Sequence, residues 1–205
     1  MPRKEYESYH YDDPDFEYTY PNSSTLRNKL EIRNQKLALK NEYQFSAERV
    51  LELSLKPIAV RSMMDVRAIH HYIFQDMYTW AGEYRNVNIS KSGNAFMTRA
   101  AFETGEDYID HLIRTYLRTA DTKEKIAKQL AEILDSLNHM HPFREGNGRC
   151  QREVVLSLAR ECGYDLFLDV ESDDDVYNRY MDGTVNGDKK ILEELFLEIL
   201  ELTAG

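Results

Sequence analysis

A chain of 205 residues, 42% hydrophobic and 30% charged, is long enough to bury one core and is ordinary in composition for a globular protein. Its 36 acidic against 26 basic residues give a formal net charge of −10, which opposes broad adhesion to nucleic acid phosphates or anionic membranes. No run approaches the roughly 20 apolar residues that cross a bilayer, and no short apolar signal opens the chain, so the expectation is a soluble, cytosolic protein with neither a membrane nor a direct nucleic-acid partner.

Residues 1–24 mix Tyr6, Tyr9, Tyr11, Tyr18 and Tyr20 with acidic side chains and stop at Pro21, Asn22, Ser23 and Ser24. They read as an extended arm, its tyrosines laid along the surface of a domain spanning 25–205. From Thr25 the pattern turns helical through Leu26, Leu30 and Ile32, and a second helix carries Val50, Leu51 and Leu53 up to Pro57. Asp65 reads as the cap of a helix reaching about Tyr78, with Val66, Ile69, Ile73, Phe74 and Met77 as its apolar stripe and His70 and His71 on its surface. Val87 and Ile89, the turn-like Lys91, Ser92, Gly93 and Asn94, and Ala95 to Met97 predict a short hairpin. A helix from about Thr98 to Leu117 then turns Tyr108, Leu112 and Tyr116 inward.

Ile126, Leu130, Ile133, Leu134 and Leu137 fall on one helical face and deliver the chain to His141. Past a glycine-containing turn, Val154, Val155, Leu158 and Ala159 mark a helix ending near Gly163. Two more helices follow, from about Ser172, where an acidic run suits a helix start, to Met181, and from about Asp188 to Leu202. Cys150 and Cys162 lie roughly 18 Å apart on one predicted helix, too far for a disulfide, so both thiols are expected to be free.

The segment His141 to Arg152, HPFREGNGRCQR, concentrates the chemistry. Gly146 and Gly148 allow a tight turn and close approach of a ligand, and the helix beginning near Asn147 aims unpaired N–H groups at an anion. Arg149 and Arg152 follow one turn later with planar, five-donor forks suited to phosphate, and Glu145 is a hard oxygen ligand of the kind magnesium takes beside phosphates. His141 stands across the turn as a base. Asn147 reads equally as a helix cap or as an amide donor to phosphate, while Cys150 and Gln151 point to the core and the flank. His139 and His141 lie about 200° apart around a helix axis, which argues against a zinc site. No Walker A loop, dinucleotide fingerprint or kinase signature is present.

The string HPFREGNGR followed by Cys150, Gln151 and Arg152 is similar to the Fic family pattern HPFx(D/E)GNGRxxR at every defined position, with further likeness at TLRNKL from Thr25, WAGEYR from Trp80 and NGD from Asn186. The resemblance implies an all-α fold with a short β-hairpin flap. It also implies transfer of AMP from ATP to a hydroxyl of a target protein, with His141 as general base, Glu145 holding Mg²⁺, Gly146, Asn147 and Gly148 at the α-phosphate, and Arg149 and Arg152 at the β- and γ-phosphates. Val87, Ile89 and Phe96 would belong to the flap that docks the target by strand addition, and Tyr177 and Tyr180 would flank adenine. The family's inhibitory string (S/T)xxxE(G/N) is absent from the sequence, so the resemblance implies a toxin restrained by a separate antitoxin, with bacterial type II topoisomerases as its target. The alternatives are transfer of UMP, GMP or phosphocholine through the same turn, or a silent module that binds nucleotide or protein.

Overall fold

Asn34 decides where the first helix begins. In the computed structural model, which describes residues 2–5, 9–11, 17–91 and 94–203, with backbone alone at 9–11, 91 and 94, its side-chain oxygen accepts from the Leu37 N–H at 3.0 Å. Helix α1 then runs unbroken over Gln35–Leu55. Residues 25–34 were expected to be helical but close into a loop, because the Asn28 carboxamide donates to the Leu26 and Ile32 carbonyls and accepts from the Ile32 N–H. Lys29 N–H fastens that loop to the Met77 carbonyl at 2.8 Å.

Helix α2 spans Met63–Phe74, and its cap is Ser62, not Asp65. Asp65 serves from inside the first turn, its carboxylate accepting from the Ser62 N–H at 3.0 Å in a capping box. The helix closes earlier than expected, since the Met77 and Tyr78 N–H groups both turn back to the Phe74 carbonyl. A 3₁₀ turn at Arg99–Ala101 leads into α3, Phe102–Thr119, which buries Phe102, Ile109, Ile113 and Tyr116, whereas Tyr108 is 50% exposed instead of inward.

Helix α4, Lys123–Met140, carries the predicted stripe, and every member of it is buried. α3, α5 (Asn147–Glu161) and α7 (Lys189–Ile199) pack around α4, so the core sits between these four helices. Leu130, Leu134, Leu137, Val155, Leu158, Leu192 and Phe196 are fully buried there, each contributing about 1.5–3 kcal/mol of transfer free energy. Helix α6, Asp174–Asn186, starts where Asp173 accepts from the Asp175 and Val176 N–H groups, and it packs on α7.

Among the described residues, two small antiparallel sheets complete the fold. In the first, strand β1 (Tyr9–Tyr11) pairs with β2 (Ile89–Lys91), and β2 pairs with β3 (Asn94–Ala95); the predicted turn residues Ser92 and Gly93 lie outside the described residues, as does Tyr6. In the second, β4 (Tyr164–Leu166) pairs with β5 (Leu200–Leu202), which ends α7 short of the expected Leu202. Tyr18 and Tyr20 are buried, not laid on the surface, and Tyr18 meets Trp80 edge-on at 5.6 Å. Among the described residues, seven α-helices with small antiparallel strands make the all-α fold that was expected. No helix among the described residues is long and apolar enough to cross a membrane.

Candidate active site

Helix α4 ends on His141, whose backbone is left-handed at φ 45° and ψ 61°. For a residue with a Cβ this conformation costs roughly 1–2 kcal/mol, so neighbouring contacts must hold it. Arg85 does much of the holding. Fully buried, its guanidinium donates to the carbonyls of His141 at 2.8 Å, Met140 at 3.3 Å, and Val87 and Met97 at 2.5 Å, while its own N–H reaches the Pro142 carbonyl at 2.8 Å. Burial pushes the Arg85 guanidinium down to about 10, so it stays charged at neutral pH. Its positive charge also lies where the carbonyl end of α4 carries a partial negative charge. With Met97 N–H bonded to the His139 carbonyl at 3.0 Å, the base of the β2–β3 hairpin is tied to the end of α4.

Contacts on the ring face and at Nδ1 help orient the His141 side chain. Phe96, just past β3, stacks on the imidazole with centroids 4.1 Å apart, and His141 is only 2% exposed. Nδ1 lies 3.3 Å from the Asn138 carbonyl, a partner that takes a proton only from an N–H. That assignment leaves the lone pair on Nε2.

The turn after His141 is braced from three sides. Gly146 has φ 79°, and a Cβ there would stand 2.2 Å from ring carbons of Phe74. Asn147 is not the helix cap, a place Gly146 takes; its carboxamide accepts from Phe143 N–H at 2.9 Å and donates to the Phe143 carbonyl at 2.8 Å, so what it offers a phosphate is its backbone N–H. His70, expected at the surface, is fully buried: Nδ1 accepts from Gly82 N–H at 2.8 Å, Nε2 donates to the Glu145 carbonyl at 3.0 Å, and the ring stacks on Phe143 at 3.7 Å. Replacing Gly146 by alanine is expected to cost about 2–4 kcal/mol, the sum of left-handed strain and a clash with Phe74. Denaturant unfolding of Gly146→Ala checks this, and a stability within about 0.5 kcal/mol of the parent would contradict the packing described.

Beyond the turn, the N–H groups of Asn147, Gly148 and Arg149 precede the first intrahelical bond of α5, made by Cys150 N–H to the Gly146 carbonyl at 3.1 Å, and so point outward toward any anion. Gly148 has only an Arg152 nitrogen, at 3.5 Å, near where a Cβ would be. It opens onto a cleft of about 310 Å³ walled by Gly148, Gln151 and Arg152 of α5, Asn138 of α4, Tyr180 of α6 and Phe96 of the hairpin. Glu145 lies half-buried at the turn, one of its oxygens accepting from Gly146 N–H at 2.9 Å.

Several expected site residues are placed differently. Arg149 does not line this cleft: its guanidinium pairs with the buried Glu42 carboxylate of α1 at 2.5 Å, donates to Ser46 Oγ at 2.8 Å and lies over the Phe74 ring. Arg149 and Arg152 instead share a neighbouring groove of about 400 Å³ between α1 and α5. Tyr180 lines the cleft with a phenol that burial pushes up and Arg152 holds back, but Tyr177 turns away and carries Arg3 over its ring at 4.3 Å. In the hairpin expected to dock a target, Ile89 is buried and Val87 is partly buried against the core. Strand β2 already has a neighbour on each side; the edges left for another strand are those of β1 and β3.

Three positioning residues went unread in the sequence: His70, Arg85 and Glu42. Each works through a partner distant in the chain, and only the WAGEYR string around Arg85 carried a local signal.

Comparison with known proteins places the chain in a family. Residues 62–159 match the Fic/DOC family. The chain is 30% identical over 185 residues to the "Probable protein adenylyltransferase Fic" of Escherichia coli K12, covering 89% of this chain and 91% of that one. It is 34% identical over 155 residues to the protein adenylyltransferase VbhT of Bartonella schoenbuchensis, covering 74% of this chain and 32% of that one. Among solved structures, the type IV secretion system effector protein BepA superposes with a TM-score of 0.79 at 28% identity over 90% of this chain and 68% of that one. The BepC protein of Bartonella tribocorum with bound AMPPNP gives 0.78 at 18% identity over 91% and 97%, a likeness of fold. The motif, the helical scaffold and these relatives agree: the chain belongs to the Fic/DOC family.

Proposed function

We propose that this protein is an adenylyltransferase that moves AMP from ATP onto a hydroxyl side chain of another protein and releases pyrophosphate. The observation that carries the reading is the single braced turn joining an oriented imidazole to the open amide end of α5. His141 Nε2 takes the proton of the incoming Ser, Thr or Tyr hydroxyl as its oxygen attacks the α-phosphorus. The amides of Asn147, Gly148 and Arg149 receive the α-phosphate oxygens, where charge is redistributed during attack. Arg152 holds the leaving phosphates in line from the cleft wall, and Arg149 supports them from the groove side with its guanidinium fixed by Glu42.

Glu145 fits a magnesium ion, which commonly takes one or two carboxylates together with substrate phosphates; among the described residues no cluster of three or more His, Cys, Asp or Glu side chains offers a dedicated cage. Bound there, the ion supplies charge neutralisation to the phosphate oxygens. The target segment docks along the open edge of β3, which runs directly into Phe96 over His141.

Two finer readings accompany this one. A separate antitoxin chain restrains the enzyme, supported by the absence of the inhibitory string and by the α1–α5 groove with its Val50, Leu51, Leu156 and Leu168 walls beside two motif arginines. Bacterial type II topoisomerases are the target, and the free Cys150 and Cys162 thiols suit action in the cytoplasm.

Purified protein, labelled ATP and a bacterial lysate test the reading. The expected result is a labelled band whose modified peptide gains the mass of one AMP. Labelling only from UTP, GTP or a choline-bearing nucleotide would move the reading to those transfers, and nucleotide binding with no adduct would make the protein a silent binding module. Label that never appears on purified topoisomerase would reject that target.

A further inference from the structure

Gln151 occupies a position between the two motif arginines that the activity proposed above does not use. It lies on α5 in the wall of the 310 Å³ cleft, it is 3% exposed, and its Nε2 has no hydrogen-bond partner. Among the described cleft residues it is the one whose buried side-chain donor stands unmatched. An amide taken out of water without a partner costs free energy, and folded chains pair such groups almost everywhere. An unmatched donor in the wall of a cleft is a contact reserved for what fills the cleft.

The position on the helix says which part of a ligand that is. Gln151 is three residues, about 4.5 Å, further along α5 than Gly148, on the same face. An anion gathered at the amides of residues 147–149 therefore leaves Gln151 beside the next group of the molecule. Tyr180, Met181, Thr184 and Val185 of α6 line the same cleft, giving a largely apolar wall suited to a flat ring. Asn138, the other carboxamide there, already donates to the Thr184 carbonyl at 2.7 Å.

We propose that Gln151 reads the nucleoside of the bound nucleotide, its Nε2 donating to an acceptor atom of the adenosine rather than to the phosphates. The inference rests on the adenylyltransferase reading and adds to it a residue that sets nucleotide affinity from outside the phosphate nest.

Calorimetric titration of the full chain with magnesium ATP, and competition by inorganic tripolyphosphate, separate the possibilities. Gln151→Leu is expected to weaken ATP binding about tenfold, the size of one lost hydrogen bond to a buried acceptor, and to leave the tripolyphosphate affinity unchanged. Gln151→Met, closer in length, gives the same pattern, and thermal melts of both variants confirm that the fold is kept. ATP affinity unchanged in both folded variants overturns the proposal, as does an equal loss for ATP and tripolyphosphate, which would place Gln151 at the phosphates. A parent protein that binds no nucleotide at all would sink the adenylyltransferase reading itself.

Discussion

Alanine in place of His141 is expected to slow AMP transfer by about a hundredfold to ten-thousandfold, the range that a positioned general base contributes, and to leave ATP affinity nearly unchanged. The asymmetry follows from where the ring sits. It stands against Phe96 and the Asn138 carbonyl, whereas the amides proposed to receive phosphate belong to α5 and keep their geometry without it. Binding in the ground state survives while the proton acceptor for the attacking hydroxyl is gone. Loss of the stacking surface under Phe96 is a separate effect, so His141→Asn, which keeps a planar polar group of smaller basicity, belongs in the comparison. Time courses with labelled ATP, beside calorimetry of nucleotide binding, check both halves. Equal labelling by parent and alanine variant would remove His141 from the chemistry.

The second large effect is on stability and comes from His70. Leucine at this position leaves the Gly82 N–H and the Glu145 carbonyl without their buried partner and strips the stack from Phe143, a loss of about 3–5 kcal/mol. The pH dependence has a definite sign. Burial, opposed by the hydrogen bond to the Glu145 carbonyl, depresses the imidazole from 6.5 to about 3, so the folded protein refuses a proton that the unfolded chain accepts. The contribution is therefore complete above pH 6.5 and is lost as pH falls through the window toward 3, about 2 kcal/mol of it by pH 5. Urea unfolding at pH 8 and pH 5 should show that fall in the parent and a flatter response in His70→Leu. Identical slopes would mean that this ring titrates normally.

What the sequence disclosed depended on whether the deciding partner was near in the chain. The stripe on α4 and the motif after it were legible because each is a local pattern, one a 3.6-residue repeat and the other a run of twelve residues with known preferences. His70 was not, since its burial is decided by residues 82 and 145 closing over it. The stretch from Thr25 to Asn34 misled for a related reason: its apolar spacing suits a helix, but Asn28 turned inward and Met77 arriving from elsewhere win the backbone hydrogen bonds. Arg149 was read as a free phosphate ligand because Glu42, more than a hundred residues earlier, carries no mark that it will pair with it. The strand at Leu200–Leu202 was invisible on its own and exists only because Tyr164–Leu166 lies alongside.

Arg85 has a mechanical corollary. One guanidinium grips carbonyls from both feet of the hairpin, at Val87 and Met97, and from the last residues of α4. The feet and His141 thus move as one body, and a displacement of either foot is carried to the imidazole. A sequence swap among relatives that reached the feet should then disturb the setting of His141 together with the hairpin.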